Sequence, residues 1–187
     1  MSDTVRRGVI ESEIIEPGYG VTHKAFHWLV FLLLAAQYTV GSIMPHVGRD
    51  TQDASWVHWH TVIGAAILFF VVLRLIWRFT HPVPLLKMPA WQTTLANYTH
   101  IGLYVLILFM CVLGWAAANY RGWHVWVFGI VQLPDLAPKG ASWAHTAGDV
   151  HDVLLYILAA AILVHVGAAY YHYVVLRDRV LQRMMPH

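Results

Sequence analysis

Cysteine is almost missing from this sequence. Cys111 is the one thiol among 187 residues, so an internal disulfide is excluded, and its position inside an apolar run reads as a small core residue. Charge is scarce as well. Asp, Glu, Lys and Arg make up 12% of the chain, about half of what a soluble domain carries. The formal net charge is only +2, which gives no electrostatic footprint for nucleic acid. Internal repeats and low-complexity segments are absent too.

What fills the chain instead is apolar: 58% of residues are hydrophobic. They gather into four runs long enough for a bilayer core, which takes about 20 residues of helix. The runs cover approximately Lys24–Ile43, Val57–Phe79, Leu95–Ala118 and Ala147–Leu176. They are continuous and rich in Leu and Ala, whereas membrane strands alternate apolar and polar residues. A helix also satisfies its own backbone hydrogen bonds in lipid. The expected fold is therefore all-α, an integral membrane four-helix bundle. The first run starts after more than twenty mixed residues and is too long for the apolar core of a signal peptide, so it is expected to be a retained helix.

Nine of the twelve Lys and Arg residues fall on one side of this four-span arrangement: Arg6, Arg7, Lys24, Arg74, Arg78, Lys87, Arg177, Arg179 and Arg183. Arg49, Arg121 and Lys139 fall on the other. The positive-inside rule then puts both termini in the cytoplasm, and eight of the nine Trp residues sit near span ends or in loops as an interfacial belt requires. The inner connection THPVPLLKMP is broken by Pro82, Pro84 and Pro89, which stops the second helix. The connection from Asn119 to Thr146 is the longest, and part of it is expected to lie on the outer membrane surface.

Histidine is in excess, with thirteen residues. His46, His81, His124 and His187 read as solvated loop or terminal groups. Those inside spans carry a cost that usually marks a partner or a function. His151 and His165 stand fourteen residues apart, about 40° short of four helical turns, so they share a face. They lie about 21 Å apart along the axis, too far for one metal. Depth pairs His27 with His165 near the inner side and His60 with His151 near the outer side. His58 competes with His60, but the two cannot share a face and His60 lies deeper. Two stacked pairs of neutral imidazoles would suit iron, with no open position and hence electron transfer rather than oxygen binding. Gly64 and Gly148 flank these histidines and would let a flat ring approach, or simply serve helix packing. Cys111 stands alone, so the C-x-x-C-H attachment of c-type haem is ruled out.

The segments HWLVFLLL, HTVIGAAILFFVVLRLIWR, THIGLYVLILFMCVLGW, RGWHVWVFG and LRDRVLQRMMP together resemble the bacterial di-haem cytochrome b561 family over nearly the whole chain beyond its first twenty residues. The resemblance implies a polar cytoplasmic tail at 1–22 and a transmembrane di-haem domain at 23–187, in a multi-pass protein of the bacterial inner membrane. It implies two non-covalent b haems, with His27, His60, His151 and His165 as ligands. It also implies electron transfer between an outer donor and the quinone pool, with ubiquinone as acceptor and superoxide:ubiquinone oxidoreduction as one family activity. The donor would be a small anion or a protein. His172 falls where the family places a histidine near the quinone site. His100, at the inner start of the third helix, matches a family histidine and reads here as a structural or supporting group. Arg74, deeper than Arg78, would pair with inner-haem propionates. Arg121 and Lys139 would attract a small anion from outside. Two other classes stay open: an electron-transfer subunit of a partner dehydrogenase or hydrogenase, and a haem-free transporter using histidines as a proton relay.

Overall fold

A computed structural model describes residues 18–45, 55–83 and 88–186. His46, Arg49, Lys87, Pro84, His187 and the first seventeen residues, with Arg6 and Arg7, lie outside them. Four helices run α1 Val21–Ile43, α2 Ser55–Thr80, α3 Ala90–Arg121 and α4 Ser142–Tyr171. All four are long and apolar enough to cross a membrane. Large apolar side chains such as Leu32, Ile76, Val105, Phe109, Tyr156 and Leu163 point outward, as lipid-facing surfaces do and water-facing ones do not.

The helices extend past the apolar runs. Ala90 to Thr94 and Asn119 to Arg121 join α3, because helix continues until a residue stops it. Pro89 sets the start and Gly122 the end. Gly122 has φ +84°, and its N–H reaches the Asn119 carbonyl while Trp123 N–H reaches that of Ala118. This is a Schellman closure, which needs a left-handed residue. A Cβ on Gly122 would also lie 3.0 Å from Lys139 Cδ. Gly122→Ala is expected to lower stability by about 1–2 kcal/mol, the left-handed penalty for an L side chain. A denaturation midpoint in detergent checks it, and an unchanged midpoint would count against this account.

α1 packs along α2 and α3 along α4, with α2 against α3 joining the two pairs. No Cα atom of α1 comes within 8 Å of one in α4. Between these two helices runs a slot bridged by side chains. Tyr38 Oη, for instance, donates to the Leu155 carbonyl at 2.9 Å. One end of the bundle, the terminal end, carries the start of α1 and the end of α4. There the last residues fold back, with Trp28 Nε1 donating to the Met184 carbonyl and Arg183 lying over the Tyr19 ring.

At the opposite end the long connection carries a short hairpin. Trp126–Val127 (β1) pairs antiparallel with Val131–Gln132 (β2), and the hairpin tip brings Phe128 against Phe69 and Phe70 of α2 at 5.3 and 5.7 Å. Phe128 and Gly129 both take positive φ at the turn. Buried Asn119 knits the connection to α3. Its Nδ2 donates to the Trp123 carbonyl and Asp135 Oδ1, and its Oδ1 accepts from Leu136 N–H.

Candidate haem site

Two histidine pairs face each other across the bundle. His27 of α1 and His165 of α4 have ring centres 6.3 Å apart. His60 of α2 and His151 of α4 have ring centres 6.2 Å apart. Between the pairs lies a dry layer of Val30, Ile67, Val71, Ile107, Met110 and Leu158. Leu158 is midway along α4 between the two histidines and 3% exposed, so water is excluded along that line.

The layers share one arithmetic. On every helix a spacing of fourteen residues links them: His27 to Gly41, His60 to Arg74, His100 to Gly114, His151 to His165. Seven residues along from the first of each pair stand Leu34, Ile67, Ile107 and Leu158, all in the apolar layer or packed on it. Seven and fourteen residues are close to whole helical turns, so one face of each helix serves both layers.

The hydrogen bonds around the pairs differ. His151 Nδ1 donates to the Met110 carbonyl at 3.0 Å, which leaves Nε2 with its lone pair. His27 Nδ1 accepts from the Arg74 guanidinium at 3.0 Å, and Arg74 also lies 5.4 Å over the Tyr104 ring. His100 stands edge-on to His165 at 5.5 Å. His60 Nδ1 is buried without a partner among the described residues. His58 is exposed and sits against Trp59. The glycines beside the imidazoles are Gly41 and Gly114. A Cβ would lie 3.6 Å from His60 at the former and 2.9 Å from His151 at the latter. Gly64 instead faces the Gln37 amide and Gly148 faces Ala117, so those two serve packing between helices.

A model of prokaryotic cytochrome b561 matches residues 18–187. The chain belongs to the prokaryotic cytochrome b561 family. Among relatives of this cytochrome, the cytochrome b561 homolog 2 of Escherichia coli is 27% identical over 173 residues, spanning 89% of this chain and 90% of its own. A probable superoxide oxidase CybB of Yersinia pestis is 27% identical over 172 residues, 90% and 96% of the two chains. A cytochrome b562 of Cereibacter sphaeroides is 30% identical over 179 residues, 91% and 96%. A b561-family membrane cytochrome binds b-type haem, and four spans make it a multi-pass protein of the bacterial inner membrane.

The cytochrome's histidine pairs fit that group in spacing. A metal–imidazole bond of about 2 Å, plus about 1.1 Å from nitrogen to ring centre, on each side predicts centres about 6.2 Å apart.

At the terminal end α4 passes into a π-helical turn, His172–Leu176. Arg177 then takes φ +53° and turns Asp178 back. Asp178 Oδ2 accepts from His172 Nδ1, and Oδ1 accepts from Val180 N–H. At the hairpin end a cleft of about 280 Å³ is lined by Asn119, His124, Asp135 and Lys139. Arg121 turns away to cap α3, donating to the Ala117 carbonyl and lying over the Tyr120 and Trp123 rings.

Three polar residues, besides the ring-facing glycines Gly41 and Gly114, escaped the sequence reading. Asp178 meets His172 only because a π turn and a left-handed residue intervene. Gln37 was hidden in an apolar run, although a lone amide within a span is itself a signal. His23 accepts from Trp77 Nε1 and donates to the His81 carbonyl, which fixes it as a structural bridge.

Proposed function

We propose that this cytochrome holds two b haems, one at each histidine pair, and transfers electrons from a donor at the hairpin end to ubiquinone at the terminal end. Superoxide is the proposed donor, and His27, His60, His151 and His165 are the proposed ligands. The observation that carries the reading is the pair of imidazole couples, 6.2 and 6.3 Å between ring centres, stacked on either side of an apolar layer. The described cations support an orientation with the terminal end cytoplasmic: Lys24, Arg74, Arg78, Arg177, Arg179 and Arg183 lie toward it, against Arg121 and Lys139 at the hairpin end.

When bound, haem supplies iron that cycles between ferric and ferrous states and carries one electron at a time. The chain's residues do the rest. The Met110 carbonyl fixes the His151 tautomer and orients its ring, as an outer partner does for a ligating histidine. At His27 the requirement is the reverse of the bond observed. A guanidinium only donates, so Nδ1 accepts and the ring proton sits on Nε2. Ligation through Nε2 needs that proton on Nδ1, and Arg74 must then turn to another acceptor. A propionate carboxylate is such an acceptor and binds guanidinium strongly. Lys139 in the hairpin-end cleft supplies positive charge for a small anion.

The reaction balances as two superoxide ions, each losing one electron to become dioxygen, and one ubiquinone gaining two electrons and two protons to become the quinol. His172, backed by the Asp178 carboxylate, is the proposed proton donor at the terminal end.

An absorbance spectrum of the purified protein and its haem content test the assignment. Reduced b-type bands and two haems per chain are expected. Single replacement of His27, His60, His151 or His165 by alanine should leave one haem, while His58→Ala should keep both. A purified protein without b-type bands would sink the reading. Superoxide-driven reduction of ubiquinone by the isolated protein separates an enzyme from an electron-transfer subunit.

A further inference from the structure

Gln37 lies in the last third of α1, within a membrane span, where a carboxamide is costly unless every polar atom finds a partner. Its Nε2 donates to the His60 carbonyl at 3.0 Å. That bond fixes which end of the amide is which, because the opposite assignment would set two carbonyl oxygens against each other. Oε1 is therefore left over, and it is buried with no partner among the described residues. His60 Nδ1 is buried and partnerless in the same way.

The two orphans belong to residues already joined by that bond from the Gln37 amide to the His60 backbone carbonyl, and they are complementary. Nδ1 of an imidazole that ligates through Nε2 carries a proton and must donate, while Oε1 can only accept. The chain has cleared space around both. A Cβ on Gly41, one turn beyond Gln37, would lie 3.6 Å from His60 Nδ1, and a Cβ on Gly64 would lie 3.4 Å from Gln37 Nε2. An unmet polar group in such a place is costly, so a mutual bond removes two penalties at once.

We propose that Gln37 is the positioning residue of His60, its Oε1 taking the Nδ1 proton directly after a small side-chain rotation or through one buried water. It would do for His60 what the Met110 carbonyl does for His151. Its second consequence is electronic. An acceptor on the far nitrogen makes a ligating imidazole a stronger electron donor and favours the ferric state. Gln37 thereby holds down the potential of the hairpin-end haem and leaves the terminal-end haem untouched. This inference rests on the two-haem assignment above.

The test is a redox titration of the purified cytochrome and of Gln37→Met, which keeps the volume and the apolar character of the span and removes both polar ends. The hairpin-end potential is expected to rise, by about a tenfold change in the ferric-to-ferrous ratio, which is about 59 mV for one electron. The terminal-end potential should stay put. Gln37→Glu, which keeps an acceptor oxygen in either protonation state, should restore most of the lost shift. If Gln37→Met lowers the denaturation midpoint but leaves both potentials unchanged, Gln37 only clamps α1 to α2 and the inference is overturned. A wild-type protein that binds no haem would instead overturn the function proposed above, so the two failures are distinguishable.

Discussion

Gly114→Ala is expected to strip the hairpin-end haem and leave the terminal-end haem in place. A Cβ built on Gly114 lies 2.9 Å from His151 Cε1 and 3.2 Å from its Nδ1, closer than real side chains approach one another. The imidazole cannot simply step back. Its Nδ1 is tied to the Met110 carbonyl, on the same helix one turn from Gly114, so a methyl at 114 pushes the ring off the bond that orients it. Overpacking of this kind costs about 1–3 kcal/mol, which is roughly a 5- to 150-fold loss of affinity for a ligand held by that ring. Gly102→Ala is the matched control, since a Cβ there meets nothing within 4 Å on the same helix. One haem per chain in the first variant and two in the second is the expected result. Two haems in both, with unchanged spectra, would mean that His151 is not held where the close packing puts it.

Gly114 also shows where sequence reading reached and where it stopped. The four apolar runs are unambiguous because lipid demands continuous helix, and the shared face of His151 and His165 follows from helical period alone. The cross-bundle pairing needed only depth, since alternating span direction fixes which histidines meet. The glycines are a different matter. Gly64 and Gly148 are one turn from histidines in sequence, yet both face other helices, toward Gln37 and Ala117. The glycines against the rings, Gly41 and Gly114, are on helices that contribute no histidine to that layer. Only the rotation of α1 and α3 about their own axes brings them there. The fourteen-residue spacing that links both to His27 and His100 was present in the sequence, but it acquires meaning once all four helices are seen to obey it. The hairpin at 126–132 left still less trace. Its tip needs positive φ at Phe128, a non-glycine residue, and what pays that strain back is contact with Phe69 and Phe70 sixty residues away in α2.

The other large effect belongs to the terminal end. His172→Phe is expected to leave both haems bound and still reducible by the donor, while ubiquinone reduction falls about 10²–10⁴-fold, the usual worth of a positioned proton donor. The geometry of the pair suits the proposed role. Asp178 Oδ2 takes the Nδ1 proton of His172, and Oδ1 is held by Val180 N–H, so the carboxylate cannot turn away and the His172 tautomer is set. Nε2 is then the nitrogen left free to face the quinone. Both partners are partly shielded, at 17% and 30% exposure, which weakens competition from water without closing the site to it. Asp178→Asn should lower the rate less than His172→Phe. It keeps an oxygen for Val180 but can offer an N–H to Nδ1, which moves the ring proton to Nε2 and leaves a neutral imidazole that is a poor acid. The measurement is steady-state ubiquinone reduction under a continuous superoxide supply, read alongside haem absorbance. In the His172 variant the haem bands should stay reduced, because electrons still enter and no longer leave. A variant that reduces ubiquinone at the wild-type rate, with both haems bound, would place the proton donor elsewhere.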